Sequence, residues 1–112
     1  MSTDMFSLKG KVVMIPGGSG GIGSALALGV CDAGAQVAVV DRDGDGLERS
    51  CSRIRAIGSE PLAIAADLTT KEGADRAVAE TVDHFGHIDV VINAVGGGAG
   101  KVLFDAQDYP VP

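Results

Sequence analysis

The segment Pro16-Gly17-Gly18-Ser19-Gly20-Gly21-Ile22-Gly23 carries most of the chemistry that can be read from this chain. Gly17, Gly21 and Gly23 follow an apolar run directly and open a stretch of helical periodicity. Glycine adopts the backbone angles of a tight turn at little steric cost. Without a Cβ it also lets a ligand come against the main chain. A helix that starts there offers unpaired N–H groups and the positive end of its dipole. Together these suit a diphosphate. Ser19 adds a hydroxyl within reach of a phosphate or a ribose. The competing reading is a structural strand-to-helix turn, which does not need so many glycines.

Asp41 ends a second apolar run, 18 residues after Gly23. In a dinucleotide fold an acid at that place accepts hydrogen bonds from the adenosine ribose hydroxyls. A carboxylate there repels a 2′-phosphate, which favours NAD(H) over NADP(H). Arg42 is adjacent and partly counters that repulsion. Asp67 ends a third run, where it either faces the adenine edge from the same rim or helps start the next helix. Asn93 interrupts the apolar run Ile88–Val95. It either holds the loop on the ligand side or faces water at an edge.

Other residues that invite a chemical reading are set aside. Gly96–Lys101 looks like a phosphate loop, but Val95 stands where the pattern needs Gly and Val102 where it needs Ser or Thr. His84 and His87 sit at a helix end, where imidazole suits the negative end of the dipole. Cys31 and Cys51 lie in apolar periodic segments and read as buried reduced thiols. No Cys/His spacing suggests a metal site.

These residues need a frame, and the hydropathy pattern supplies one. Lys11–Pro16, Gln36–Asp41, Pro61–Asp67 and Ile88–Val95 are short apolar runs that predict strands. Three helical stretches lie between them. Ile22, Ala25, Leu26, Gly29, Val30 and Ala33 define the expected face of the first. Leu47, Cys51, Ile54 and Ile57 define that of the second, and Ala74, Ala77, Val78, Thr81, Val82 and Phe85 that of the third. Gly34, Gly58 and Gly86 close the helices, and Thr69 with Glu72 reads as a capping box for the third. The order βαβαβαβ with continuous apolar strands predicts a doubly wound, Rossmann-type α/β domain with a parallel sheet covered on both faces. Right-handed crossovers favour the strand order 3-2-1-4. Residues 1–9 read as an N-terminal arm and 97–112 as an irregular tail of one domain covering 1–112.

Composition agrees with a small globular domain: 112 residues, 46% apolar and 21% charged. The formal net charge of −6 argues against general nucleic-acid binding. No run of about 18 apolar residues and no apolar signal segment occurs, so the expected compartment is the cytoplasm, with no membrane partner.

Taken together, the motifs resemble the first part of a short-chain dehydrogenase/reductase. The glycine segment fits the family's T-G-x-x-x-G-I-G apart from Pro16 in place of Thr. Asp67-Leu68 fits the acid-aliphatic pair after strand three. Ile92-Asn93-Ala94-Val95-Gly96 is similar to N-N-A-G after strand four, with Ile for the first Asn and an extra Val. Leu8-Lys9-Gly10-Lys11-Val12 is also typical of the family, and the likeness covers residues 6 to about 96. The resemblance implies a nicotinamide cofactor and hydride transfer to or from a carbonyl or alcohol. It implies that Gly17, Ser19, Gly20, Ile22, Asp41, Asp67, Leu68, Asn93 and Ala94 line the cofactor, with Gly21, Gly23, Arg42 and Gly96 completing the candidate set.

The family's catalysis uses a Ser and a Tyr followed four residues later by Lys. The single tyrosine, Tyr109, lies beside Pro110, only 16 residues after Asn93, and is rejected for that role. The chain is therefore expected to be the cofactor-binding portion of a longer oxidoreductase, and not to be active alone. The alternatives are a free-standing nucleotide-binding module and, more weakly, a methyltransferase-like protein that uses S-adenosylmethionine. The resemblance leaves a homo-oligomer open and does not name the substrate.

Overall fold

The computed structural model describes residues 7–95. The expectations for Gly96, Lys101, Tyr109 and the 97–112 tail lie outside the described residues. Four strands, β1 (Val12–Pro16), β2 (Gln36–Asp41), β3 (Leu62–Ala65) and β4 (Val90–Val91), alternate with α1 (Gly21–Asp32), α2 (Gly44–Ala56) and α3 (Lys71–Phe85). All pairings are parallel, and the sheet order is β3-β2-β1-β4, as the crossover rule predicts.

The alternation of side chains along a strand divides the core into two layers. Val13, Ile15, Val37 and Val39 pack with Ala27 and Cys31 of α1 and with Leu47, Cys51 and Ile54 of α2. Met14, Ala38, Val40 and Ile64 pack on the opposite face with Ala77 of α3. The fully buried Val and Ile side chains each contribute about 1.5–3 kcal/mol. The pairs Arg55–Glu48 and Arg55–Glu60 are largely exposed. Such pairs contribute only about 0–1 kcal/mol each, so apolar packing, not ion pairing, fixes the frame. Cys31 and Cys51 are buried and unbridged. Burial is the main influence pushing both thiols up. Leu8, assigned to the arm, packs against the first layer and donates its N–H to Ala33 O at 2.8 Å.

The boundaries differ from the sequence reading in instructive ways. β4 was expected over Ile88–Val95 but its ladder is only Val90–Val91. Ile92 N donates to Met14 O at 2.9 Å and Ala94 N to Pro16 O at 2.8 Å. Pro16 has no N–H to return, so the reciprocal bonding that defines a ladder stops there. β3 is Leu62–Ala65, shorter than Pro61–Asp67, because Asp67 already belongs to the turn that starts α3.

The buried face of α1 is Gly23, Ser24, Ala27 and Cys31, not the expected Ile22, Ala25, Leu26, Gly29, Val30 and Ala33. Ile22 is 77% exposed. A face of small residues lets the helix lie close on the sheet; Ile22 and Leu26 are turned outward, while Leu28 and Val30 pack partly against the first core layer. On α3 only Ala77 and Thr81 are buried, and Val78 and Val82 are exposed. On α2 Ile57 is the C-cap and exposed, while Ser50 joins the buried face.

The cap of α3 is Thr70, whose hydroxyl accepts from Gly73 N at 3.0 Å. The expected Thr69–Glu72 box does not form, because Thr69 spends its hydroxyl and N–H on Asp67 Oδ1 at 2.6 and 2.9 Å. Gly34, Gly58 and Gly86 close the helices with positive φ, as expected.

Asp89 joins the starts of β1 and β4. Its Oδ2 accepts from Val12 N at 2.8 Å and contacts His87 Nε2 at 2.8 Å. The Val12 N–H above all, then His87, holds the carboxyl below its ordinary value of 3.8 despite partial desolvation. A carboxyl depressed in the folded state stabilises fully above its unfolded value and loses that contribution as pH falls through the folded one. Unfolding by urea at pH 7 and at about pH 3 should show lower stability in acid, with a smaller difference in Asp89→Asn. An identical pH dependence in the two proteins would remove Asp89 from this role.

Candidate functional site at the carboxyl ends of the strands

The turn after β1 begins with Gly17 at φ +79°, a region open to glycine and costly for other residues. Gly17 N donates to Val40 O at 2.8 Å, tying the turn to β2. A Cβ on Gly17 would fall 2.6 Å from Val95 N, so the chain leaving β4 presses directly on this residue. A Cβ on Gly18 would fall 2.5 Å from Val39 Cγ1, and one on Gly23 would fall 2.2 Å from Gly17 O. These three glycines are demanded by the protein's own packing. Gly20 and Gly21 are different: a Cβ on Gly20 meets only Gly17 O at 3.7 Å, and one on Gly21 meets nothing within 4 Å.

Gly20 is the N-cap of α1 and provides no side-chain cap. The first helix amide with a backbone partner is Ser24 N, which donates to Gly20 O at 2.8 Å. Among the described residues, the amides of Gly21, Ile22 and Gly23 have no hydrogen-bond acceptor. At the start of α3 the Thr70 hydroxyl takes Gly73 N, whereas α1 has no side-chain cap.

The turn faces a cleft of about 570 Å³ at the carboxyl ends of the strands. Gly17, Ser19 and Gly20 form one wall, and Asp41, Arg42 and Asp43 another. Ala66 to Thr69 follow β3, and Ala94 and Val95 follow β4. The cleft therefore lies where β1 is flanked by β2 on one side and β4 on the other, the reversal point of a doubly wound sheet.

Asp41 carries the densest bonding in the cleft. Oδ2 accepts from Ser19 Oγ in a short contact and from Ser19 N at 3.3 Å. Oδ1 accepts from Arg42 N at 2.8 Å and Asp43 N at 3.3 Å. Burial raises the Asp41 carboxyl, but the donors from Ser19, Asp43 and Arg42 outweigh it and hold the group below its ordinary value. The Asp67 carboxyl is lowered too, chiefly by the Thr69 hydroxyl. Both acids are therefore anionic at neutral pH, and with Asp43 they outnumber Arg42 at this end of the cleft.

Residues 11–109 match the short chain dehydrogenase family. The chain belongs to that family. An uncharacterized oxidoreductase of Mycobacterium tuberculosis is 40% identical over 107 residues, covering 96% of this chain and 41% of that protein. A solved short-chain dehydrogenase/reductase of Mycobacterium marinum superposes with a TM-score of 0.77 at 37% identity, covering 81% of this chain and 37% of that one. The 3-ketoacyl-(acyl-carrier-protein) reductase of Brucella melitensis, solved with NADH, gives 0.70 at 39% identity, covering 76% and 34%. The chain thus spans about a third to two-fifths of the length of these relatives.

Of the candidate residues, this dehydrogenase fold brings Gly17, Ser19, Gly20, Asp41, Arg42, Asp67, Leu68 and Ala94 to one cleft. Gly21, Ile22 and Gly23 form the first turn of α1 next to Gly20 and are not among the residues that line the cleft. Asn93 is exposed, and its Oδ1 accepts from Val95 N at 3.1 Å, steadying the segment that presses on Gly17. Sequence reasoning missed Ser50, which is buried on α2 and donates to Gly18 O at 2.9 Å. It also missed Gly46 and Gly73, where a Cβ would fall 2.8 Å from Asp43 Oδ2 and 1.8 Å from Asp67 O respectively. A glycine inside a helical pattern is a signal for close approach, and both lie in first turns.

Helical glycines usually gain about 0.5–1 kcal/mol on replacement by Ala. Gly29→Ala, in open space on α1, should follow that rule. Gly23→Ala should instead lose about 1–3 kcal/mol through overpacking against Gly17 O. Urea denaturation of both variants tests the contrast, and equal midpoints would refute it.

Proposed function

We propose that this chain holds NAD(H) in the cleft, with the diphosphate at the start of α1 and the adenosine ribose against Asp41. It is thus the cofactor-holding part of an oxidoreductase that acts on a carbonyl or alcohol. The observation that carries this reading is the uncapped start of α1 opening beside glycines that the protein's own packing does not require. Space at Gly20 and free amides at Gly21, Ile22 and Gly23 answer the two needs of a bound diphosphate, close approach and donors. The anionic rim of Asp41, Asp43 and Asp67 at the other end suits uncharged ribose hydroxyls and disfavours a 2′-phosphate. That favours NAD(H) over NADP(H).

When bound, the nicotinamide supplies the hydride acceptor or donor. This chain's own residues bind and orient it. Gly17 and Ala94 fix the wall next to the turn through their mutual contact, and Leu68 and Ala66 offer apolar surface at the base end.

Titration with NADH, NADPH and S-adenosylmethionine, followed by calorimetry, tests the reading. NADH should bind more tightly than NADPH, and S-adenosylmethionine should not compete. Gly20→Asp places a good cap on the free amides, so stability should rise by a few tenths of a kcal/mol. NADH affinity should fall about tenfold or more, because the new carboxylate occupies the diphosphate site and repels it. A folded Gly20→Asp chain with undiminished NADH affinity would place the diphosphate elsewhere.

A further inference from the structure

The Ser19 side chain stands between two elements. Its hydroxyl and its N–H both reach Asp41 Oδ2 at the end of β2. Behind it lies Gly46, buried in the first turn of α2. A Cβ on Gly46 would fall 3.0 Å from Ser19 Cβ and 3.1 Å from Ser19 Oγ. One turn further along α2, Ser50 holds the Gly18 carbonyl. The helix therefore braces the turn at two places, and Ser19 is the part of the turn that touches the acid.

A serine hydroxyl has one proton to give. Here it is given to Asp41, so Ser19 does not donate to a phosphate in this arrangement. A carboxylate has about four acceptor sites. Ser19 Oγ and Arg42 N take one close position on each oxygen, while Ser19 N and Asp43 N stand off at 3.3 Å and leave the carboxylate able to accept a ribose hydroxyl. Asp41 is thus a charge locked in one orientation at the mouth of the cleft, not a flexible acid searching for a ligand. Two of its four donors come from Ser19.

We propose that Ser19 is a specificity-determining positioning residue, which, backed by Gly46, locks the Asp41 carboxylate where it excludes a ribose 2′-phosphate. This rests on the cofactor reading above. With the lock removed, Asp41 can turn aside and an anionic 2′ substituent meets less repulsion. Gly46→Ala acts from the other side: its Cβ meets Asp43 Oδ2 at 2.8 Å and Ser19 Cβ and Oγ at 3.0 and 3.1 Å, so both donors flanking Asp41 must give way. Because alanine is the better helix former, its effect on specificity is not an effect of a weaker helix.

The experiment measures the dissociation constants of NADPH and NADH for wild type, Ser19→Ala and Gly46→Ala, and titrates the Asp41 carboxyl by carbon NMR without nucleotide. Both variants should lower the NADPH-to-NADH ratio of dissociation constants at least about threefold, and both should move the Asp41 titration up toward the ordinary carboxylate range. An unmoved titration in folded Ser19→Ala overturns the lock whatever the nucleotide data show. A moved titration with an unchanged or larger ratio overturns the specificity role. If wild type binds neither nucleotide, the cofactor reading falls and takes the specificity role with it, while the titration still reports the contact.

Discussion

The arrangement depends on one close approach, that of the start of α1 against the end of β1. No Cβ fits at Gly23, because Gly17 O occupies its place, and none fits at Gly17, because the chain after β4 does. Two backbones and a helix terminus are therefore packed at distances that only glycine permits. The small buried face of α1, Gly23, Ser24, Ala27 and Cys31, continues the same constraint down the helix. It explains why the bulky aliphatics Ile22 and Leu26 turn away from the core although their spacing suggests otherwise.

The site is a consequence of that packing. A helix drawn close to the sheet brings its first amides to the rim where the strands end. Leaving Gly20 without a capping side chain keeps those amides available. The contrast with α3 is informative, since there the Thr70 hydroxyl caps one first-turn amide, Gly73 N. Electrostatics then divides the cleft. Donors cluster at the α1 end, and Asp41, Asp43 and Asp67 gather at the β2 and β3 ends. In the proposed reading the diphosphate lies at the donor end and the adenosine ribose at the acidic end.

The glycines of the turn divide in the same way. Gly17, Gly18 and Gly23 are needed by the protein, whereas Gly20 and Gly21 leave space that the protein does not fill. The α2 side of the cleft is held by contacts to the turn from Ser50 and Gly46. They link the second helix to the first turn without any apolar signature.

The sequence by itself determined the order of elements, the parallel sheet and its strand order, because apolar periodicity and crossover handedness are local and chiral rules. It also marked Asp41 and Asp67, because each ends an apolar run where a strand must stop, and Gly17, Ser19 and Gly20, because they belong to the glycine-rich turn that follows one. Tertiary structure decided the rest. The side of α1 that faces the sheet follows from the fit between Gly23 and Gly17 O, which no hydropathy count contains. The early end of the β4 ladder follows from a missing N–H on Pro16, a residue of another strand. The shift of the α3 cap to Thr70 follows from the Asp67 side chain taking Thr69 first. Ser19 and Asp41 were each visible in the sequence as ligand-binding candidates. Only folding revealed that they bind one another, because 22 residues separate them along the chain and the sheet alone makes them neighbours.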